Sequence, residues 1–518
     1  GVILNKNRLM LCRNESWLNT IINLYESIGA SFFREFRGSF SGVLYDKVKK
    51  EWIVFSDQIG TKPIYYAKRD RFIVISTEYL WIVDFLKCNS CSLSLNPESV
   101  YMLLTYGFML ENHSIIEGIN RLLPGHYLSI KNHRISQISY YKPTNKSESM
   151  KKESDYIEEM DYYFRNAIKL QFDKDLEYGY KHLVSLSGGL DSRMTSVVAH
   201  ETGYENQVNL TYAQSDSFDA QIPDKISRGY RHEWIFKSLD NGLFLKDIDD
   251  MTLISGGNCM YYGLAHQNSI YKLINFSPYG ILHGGNLGDV LFGGSYNNNS
   301  NYDEQYSMFD GVYSRNKLSE KLNRRKFLLE YDNRELFLLY NRGFLGANYG
   351  NIIINQYTET LSPFCNIDVL SYALSIPLCF RFGHNIYKEW ILKKYASAAN
   401  YKWAKTGGYL AEQTILIMGR KITTRQFLNI IYDKLLSTTG LRGKDTEDKR
   451  HMNPFDYWIK TNDELKCFFV DYYKKYINLV RDGELREDLA NHFTHGRGIE
   501  KIQVLSLLSA IKTFNVSL

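Results

Sequence analysis

The sequence predicts a two-domain α/β protein, a β-rich N-terminal domain followed by a parallel α/β domain that ends in a helical part. Three observations predict it. Short β-branched and aromatic segments separated by turn residues recur over residues 1 to about 90 and read as sheet. A polar, highly charged run, KPTNKSESMKKESD, fills 142–155 and has linker composition. Beyond it a hydrophobic strand, a glycine turn, a helix and a second strand follow within about thirty residues. That spacing requires a crossover, and a crossover implies parallel strands with helices on their faces. The expected boundaries are 1–141 for the first domain, 142–155 for the linker and 156–518 for the second domain, with 156–410 as its core and 411–518 as a helical extension.

The elements follow in order. GVILNKNRL reads as a strand already under way, and the absence of an initiator Met suggests a trimmed or processed chain. WLNTIINLYESIG is a helix with Gly29 as its C-cap. SFSGVLYD, EWIVFSD, PIYYAKR and RFIVIST are strands. After the linker, DYIEEMDYYFRNAIKLQF predicts a helix, HLVSLS a buried strand, DSRMTSVVAHETG a helix and QVNLTYA a strand. Past about residue 300, amphipathic runs such as KEWILKKYASAANY and TRQFLNIIYDKLL predict mostly helix.

Composition narrows the function classes. The 518 residues are enough for two to four domains, and 44% hydrophobic with 23% charged residues is globular rather than disordered. A net charge of +5 is too dilute for a nucleic-acid or membrane-surface partner. No apolar window is long enough to span a bilayer, and no charged-then-apolar leader opens the chain. Seven cysteines, an odd number scattered along the sequence from Cys12 to Cys467, suit a reduced, cytoplasmic protein rather than a disulfide framework. Cys88 and Cys91 form a lone C-x-x-C without a second pair and read as incidental.

Chemistry concentrates at Ser185-Leu186-Ser187-Gly188-Gly189-Leu190-Asp191-Ser192-Arg193, which follows a strand and opens a helix. Ser187, Gly188 and Gly189 can present hydroxyl and backbone N–H groups to a phosphate, and the helix N-terminus adds partial positive charge. The two glycines allow a close backbone approach. The loop is neither G-x-x-x-x-G-K-[ST] nor G-x-G-x-x-G. A second glycine-dense loop spans 284–294, Gly-Gly-Asn-Leu-Gly-Asp-Val-Leu-Phe-Gly-Gly. Its Asp289 could join Asp191 in holding Mg²⁺ against a triphosphate, since Mg²⁺ takes one or two carboxylates plus phosphate oxygens.

The S-G-G-x-D-S turn resembles the pyrophosphate loop of ATP pyrophosphatases. Together the two loops resemble the synthetase domain of the asparagine synthetase family, which includes β-lactam and lasso-peptide macrolactam synthetases. GNLGDVLFGG overlays that family's G-E-G-x-D-E-x-F-G-G at 285–294. TLSPFCNIDVLSYALSIP resembles R-x-P-F-L-D…A-L-x-x-P, and KEWILKKY with KWAKTGG resembles K-x-L-L-R-x…R-x-K-x-G-F. FRGSFSGVLYD and SDQIGTKPIYY resemble the family's N-terminal G-x-F-A-F-x-x-W-D and R-D-x-x-G-x-K-P-L-Y-Y. The resemblance covers residues 1 to about 410 in the family's order and leaves the last 110 or so outside.

The resemblance implies an N-terminal glutaminase-like sandwich of Ntn-hydrolase type and an ATP-dependent ligase that makes an acyl-adenylate, which an amine then converts to an amide. It implies ATP and Mg²⁺ as cofactors. Ser185, Leu186, Ser187, Gly188, Gly189, Asp191, Ser192, Thr211 and Gly288 would surround the nucleotide, Asp191 and Asp289 would bind the metal, and Lys405 would face the α-phosphate. Asn286 stands where the family commonly has Glu, so it cannot take the amine's proton. The family's glutamine-dependent members begin with a Cys whose thiol attacks glutamine and whose α-amino group serves as base. Here Gly1 opens the chain, Cys12 is internal, Val2 replaces a glutamine-contacting Glu and Trp17 an Asp. No glutaminase activity is expected. The expected partners are a small-molecule, sugar-acid or peptide carboxylate plus an amine or ammonia, with neither nucleic acid nor membrane, and homodimerisation is left open. The products would be a uronamide, lactam or macrolactam. The alternatives are a nucleotide-binding pseudoenzyme acting as a scaffold and an enzyme that adenylates a nucleobase or tRNA.

Overall fold

The computed structural model describes residues 1–10, 16–147, 150–300, 304–314, 321–322, 327–412, 414–417, 420–423 and 452–518. Cys12 and the run TRQFLNIIYDKLL lie outside them. The strand read at the start is short: Val2–Ile3 pairs with Gly38–Ser39, and the chain turns into a helical turn at Lys6–Leu9. Helix α1 (Trp17–Ile28) is opened by the Ser16 side chain, which accepts from Asn19 N, and is closed by Gly29 at φ +79°. Seven strands follow in the N-terminal part: β1 (Ser41–Asp46), β2 (Glu51–Ser56), β3 (Tyr65–Lys68), β4 (Ile73–Ser76), β5 (Ile119–Arg121), β6 (His126–Lys131) and β7 (Arg134–Ser139). They form two antiparallel sheets, in order β1-β2-β6-β7 and β4-β3-β5. Side-chain alternation gives β2 two apolar faces: Ile53 and Phe55 meet Phe32, Phe33 and Phe40, while Val54 meets Ile64, Leu122 and Leu128.

Two helices, α2 (Tyr79–Cys88) and α3 (Pro97–Tyr106), follow β4. The first falls in the stretch read as sheet. Its buried Tyr79, Ile82, Val83 and Leu86 recur at three- and four-residue spacing, a helical period that the β-rich surroundings masked.

The second part opens on α4 (Glu153–Tyr178), which begins inside the expected linker. Its main sheet holds, among the described residues, five strands, β8 (Lys181–Ser185), β9 (Gln207–Ala213), β10 (Glu233–Ser238), β11 (Tyr279–His283) and β12 (Glu359–Leu361). All pair in parallel, in order β10-β9-β8-β11-β12. Strand order reverses at β8, and α5 (Asp191–Glu201) and α6 (Phe218–Tyr230) follow β8 and β9. Parallel sheets bind ligands in the crevice beyond such a reversal, at the carboxyl ends of the strands. Leu183, Leu210 and Leu282 face a core shared with α2 and α3, whereas Val184 faces α4 and α5.

The stretch after residue 410 is not wholly helical: Thr414–Ile417 pairs antiparallel with Arg420–Thr423. β-Branched Thr414, Ile415, Ile417, Ile422 and Thr423 favour that ribbon. Farther on, helix α7 (Gly498–Phe514) is buried on every side, packed on α3 and joined to it by Gln503 Nε2, which donates to Leu103 O at 3.2 Å. The C-terminal helix therefore completes the core beneath the N-terminal helices. Arg37–Asp368 at 2.9 Å and Lys62–Glu359 at 2.7 Å also tie the two parts of the chain.

Candidate active site

Beyond the ends of β8 and β11 lies a cavity of about 350 Å³. Ser185, Leu186, Ser187, Gly189, Asp191 and Ser192 line it from the first loop, Asn286 and Asp289 from the second, and Lys405 from a third segment. The structure thus gathers residues up to 220 positions apart into one chamber.

The first loop is held by its own polar groups. Ser187 N donates to Ser192 Oγ at 2.9 Å, the two serine hydroxyls lie 3.0 Å apart, and Gly189 N donates to Ser187 Oγ at 3.2 Å. Gly188 and Thr211 stand behind the loop rather than on the cavity wall. Gly188 N donates to Asp219 Oδ1 at 3.0 Å, and a Cβ there would lie 2.8 Å from both Phe218 O and Ala404 Cβ. Thr211 Oγ1 donates to Leu186 O at 2.8 Å and accepts from Trp234 Nε1 at 3.0 Å. Gly288 likewise allows approach, because its Cβ would lie 2.5 Å from Asp191 Cγ.

The two acidic residues meet across the loops. Asp289 N donates to Asp191 Oδ2 at 2.9 Å, and Tyr387 Oη donates to Asp191 Oδ1 at 3.0 Å. Burial first, and then the charge of Asp289, push the Asp191 carboxyl up from 3.8 to about 8. Ser295 Oγ donates to Asp289 Oδ2 at 3.0 Å and lies 3.4 Å from His384 Nε2. Burial, with the positive charges of Lys405 and Lys388, drives His384 down to about 3, so the ring is neutral. The hard oxygen donors of this acidic pair are of the kind that fit Mg²⁺.

Lys405 comes from a loop clamped to the first. Its Nζ sits 5.5 Å from the Trp403 ring centroid, and the neighbouring Ala404 N donates to Gly188 O at 3.0 Å. Arg193, on α5 and fully buried, donates through Nη1 to Ala398 O and Tyr401 O, both at 3.1 Å, and through Nη2 to Lys402 O. Burial lowers its guanidinium to about 10, which leaves it charged at neutral pH. Asn286 Nδ2 donates to Asn351 Oδ1 at 3.3 Å. At Asn286 the cavity meets a narrow crevice that reaches Asp57, Gln58 and Thr61 of the N-terminal part.

Sequence reasoning missed Tyr387, Ser295 and His384, and gave Arg193 no role. Arg193 stood beside the S-G-G-x-D-S turn within the stretch singled out, but nothing local gave its side chain a role. Tyr387 is 196 positions from Asp191 and carries no local signal.

The fold and site define a parallel α/β protein whose strand–loop–helix turn opens an anion-type cavity paired with an acidic couple. Residues 5–141 match the glutamine amidotransferase domain family. A candidate glutamine-hydrolysing asparagine synthetase of Methanocaldococcus jannaschii is 24% identical over 393 residues, 72% of this chain and 61% of that protein. The glutamine-hydrolysing asparagine synthetase 2 of Bacillus subtilis is 26% identical over 42% of this chain and 29% of its own length. Amidase chyE of Penicillium rubens is 30% identical over 39% of this chain and 30% of its own length. The chain thus spans less than two thirds of these relatives. Residues 5–141 carry a glutamine amidotransferase-type domain, and the chain is similar over much of its length to glutamine-hydrolysing asparagine synthetases. Among the described residues, no helix is long and apolar enough to cross a membrane.

Proposed function

We propose that the chain is an ATP-dependent, AMP-forming carbon–nitrogen ligase that activates a carboxylate as an acyl-adenylate and passes it to an amine. The observation that carries this reading is the convergence of the Ser187–Ser192 loop, the Asp191–Asp289 pair and Lys405 on one cavity. In the first step a substrate carboxylate oxygen attacks the α-phosphorus of ATP, the bond to the bridging oxygen of the β-phosphate breaks, and pyrophosphate leaves. Ser187, Gly189 and Ser192 hold the departing pyrophosphate with hydroxyl and N–H donors. Lys405 faces the charge that develops on the α-phosphate, a contribution of about 10²–10³ in rate for a well-placed cation. Mg²⁺, held by Asp191 and Asp289, would supply charge neutralisation for the phosphates.

In the second step the amine nitrogen attacks the acyl carbon, AMP departs with the electron pair, and the nitrogen loses a proton. Asn286 cannot accept that proton, so either another base takes it or the amine arrives already unprotonated. An amine on the same substrate gives a lactam or macrolactam; ammonia or a second molecule gives an amide such as a uronamide. The N-terminal domain, which we assign to the Ntn-hydrolase type, supplies no ammonia from glutamine, because Val2 and Trp17 stand where glutamine-contacting acids belong.

The test is pyrophosphate release from ATP and Mg²⁺ across panels of uronates, amino acids and peptides. Release that depends on one acid, with AMP formed in equal amount, supports the ligase. ATP binding without release on any acid assigns the chain to a nucleotide-binding scaffold instead.

A further inference from the structure

Below the second loop, where the start of β8 and the end of β11 meet α4, a different set of ligating groups gathers. Asp175 on α4, His182 on β8 and His283 on β11 bring one ligand atom each to within 4.8 Å of one another, the one such His, Cys and acidic group found among the described residues. His182 Nδ1 stands 3.0 Å, and His283 Nε2 2.7 Å, from the same oxygen, Asp175 Oδ2. The side chains are 1%, 6% and 0% exposed for Asp175, His182 and His283. Both rings are fixed by aromatic packing: His283 stacks on Phe172 with centroids 3.9 Å apart, and His182 lies edge-on to Tyr204.

This cluster leaves an unbalanced account of polar atoms. Asp175 Oδ1 is buried and has no hydrogen-bond partner, although its twin serves both histidines. The ion pairs to Asp175 among the described residues come from these two histidines alone. Lys174, its neighbour in sequence, is engaged with Glu177. A carboxylate removed from water costs several kcal/mol unless a cation and filled lone pairs compensate it. A divalent ion seated between the carboxylate and the two ring nitrogens would supply the charge and take up the orphaned oxygen. One turn earlier on the same face of α4, Gln171 Oε1 is a further buried oxygen without a partner.

We propose that Asp175, His182 and His283 form a binding site for one zinc-type divalent transition-metal ion. Two imidazoles and a carboxylate are a zinc donor set, completed by water or Gln171, whereas Mg²⁺ prefers the all-oxygen pair at Asp191 and Asp289. The ion cross-links α4, β8 and β11. His283 ends β11 immediately before Gly284 and Gly285, whereas His182 is the second residue of β8, so the ion ties the start of β8 to the strand end from which the second loop springs.

The full-length protein, stripped with a chelator and dialysed, is titrated with Zn²⁺ and separately with Co²⁺. The expected result is one tightly held equivalent by elemental analysis, a tetrahedral-type visible Co²⁺ spectrum and a higher melting temperature with Zn²⁺. His182→Gln and His283→Gln should lose the spectrum and the thermal shift, whereas Asp289→Asn should keep both. Substoichiometric metal with no Co²⁺ spectrum in the wild type overturns the proposal whether or not the variants fold. Full binding by both histidine variants overturns it too.

Discussion

Replacing Asp191 with Asn should stabilise the ligand-free protein while abolishing pyrophosphate release. The folded carboxyl holds its proton up to about pH 8, against 3.8 when unfolded, because it is buried and faces Asp289. Between those two values the folded state binds more protons than the unfolded state, so this group's effect is a loss of stability as pH rises through the window. The penalty is absent below the lower value and complete above the upper one. At about 1.36 kcal/mol per pH unit, the span from 3.8 to about 8 gives a ceiling of roughly 6 kcal/mol. Asp191 is partly open to the cavity, and water and counter-ions screen it, so about 2–3 kcal/mol is the expected gain for Asp191→Asn at high pH. The assay is urea denaturation of wild type and variant in chelator, across the window from about pH 4 to mildly alkaline pH. The difference should shrink towards zero near the acid end. A variant less stable than wild type at alkaline pH, or a difference that does not change with pH, refutes the reading of Asp191 and Asp289 as a strained pair that wants a cation.

Four further outcomes are expected. Lys405→Ala should bind ATP with wild-type affinity by calorimetry yet release pyrophosphate about 10²–10³ times more slowly; equal loss of binding would remove Lys405 from the transition state. Arg193→Met takes the donor from the buried carbonyl of Ala398 and the half-buried carbonyls of Tyr401 and Lys402, and should cost about 3 kcal/mol by chemical denaturation, with a raised KM for ATP. Gly285→Ala would set a Cβ 2.3 Å from Ser192 N and should weaken nucleotide binding at least tenfold; unchanged ATP affinity would mean that the two loops are not in register contact. With Asn286 in place of a base, amide yield should track the unprotonated fraction of the amine, and Asn286→Glu should shift that profile to lower pH.

Much of the architecture was legible because local chemistry dictated it. Ser16 and Gly29 end α1 as caps, and a hydrophobic strand followed by two glycines and a helix leaves little alternative to a parallel unit. Helix α2 escaped because aromatic and β-branched residues fit both periods until burial chooses between them. The 414–423 ribbon escaped because the stretch was read with the amphipathic runs around it. At the site, Asp191, Asp289, Asn286 and Lys405 could be picked out by resemblance, yet the sequence could not separate wall from support. Gly188, Gly288 and Thr211 turn out to space and latch the loops, which depends on neighbours more than twenty residues away in sequence.

The sequence by itself determined the order of the strands and helices that carry the loops, and the residue types in those loops, because turn, cap and strand preferences act within a few residues. The tertiary structure decided which groups share a charge or a proton. Tyr387 meets Asp191, Arg193 grips the Lys405 segment, α7 fills the core beneath the N-terminal helices, and Asp175 gathers His182 and His283. Each of these contacts joins segments distant in the chain, and its energy comes from burial and distance, quantities that exist only once the chain has packed.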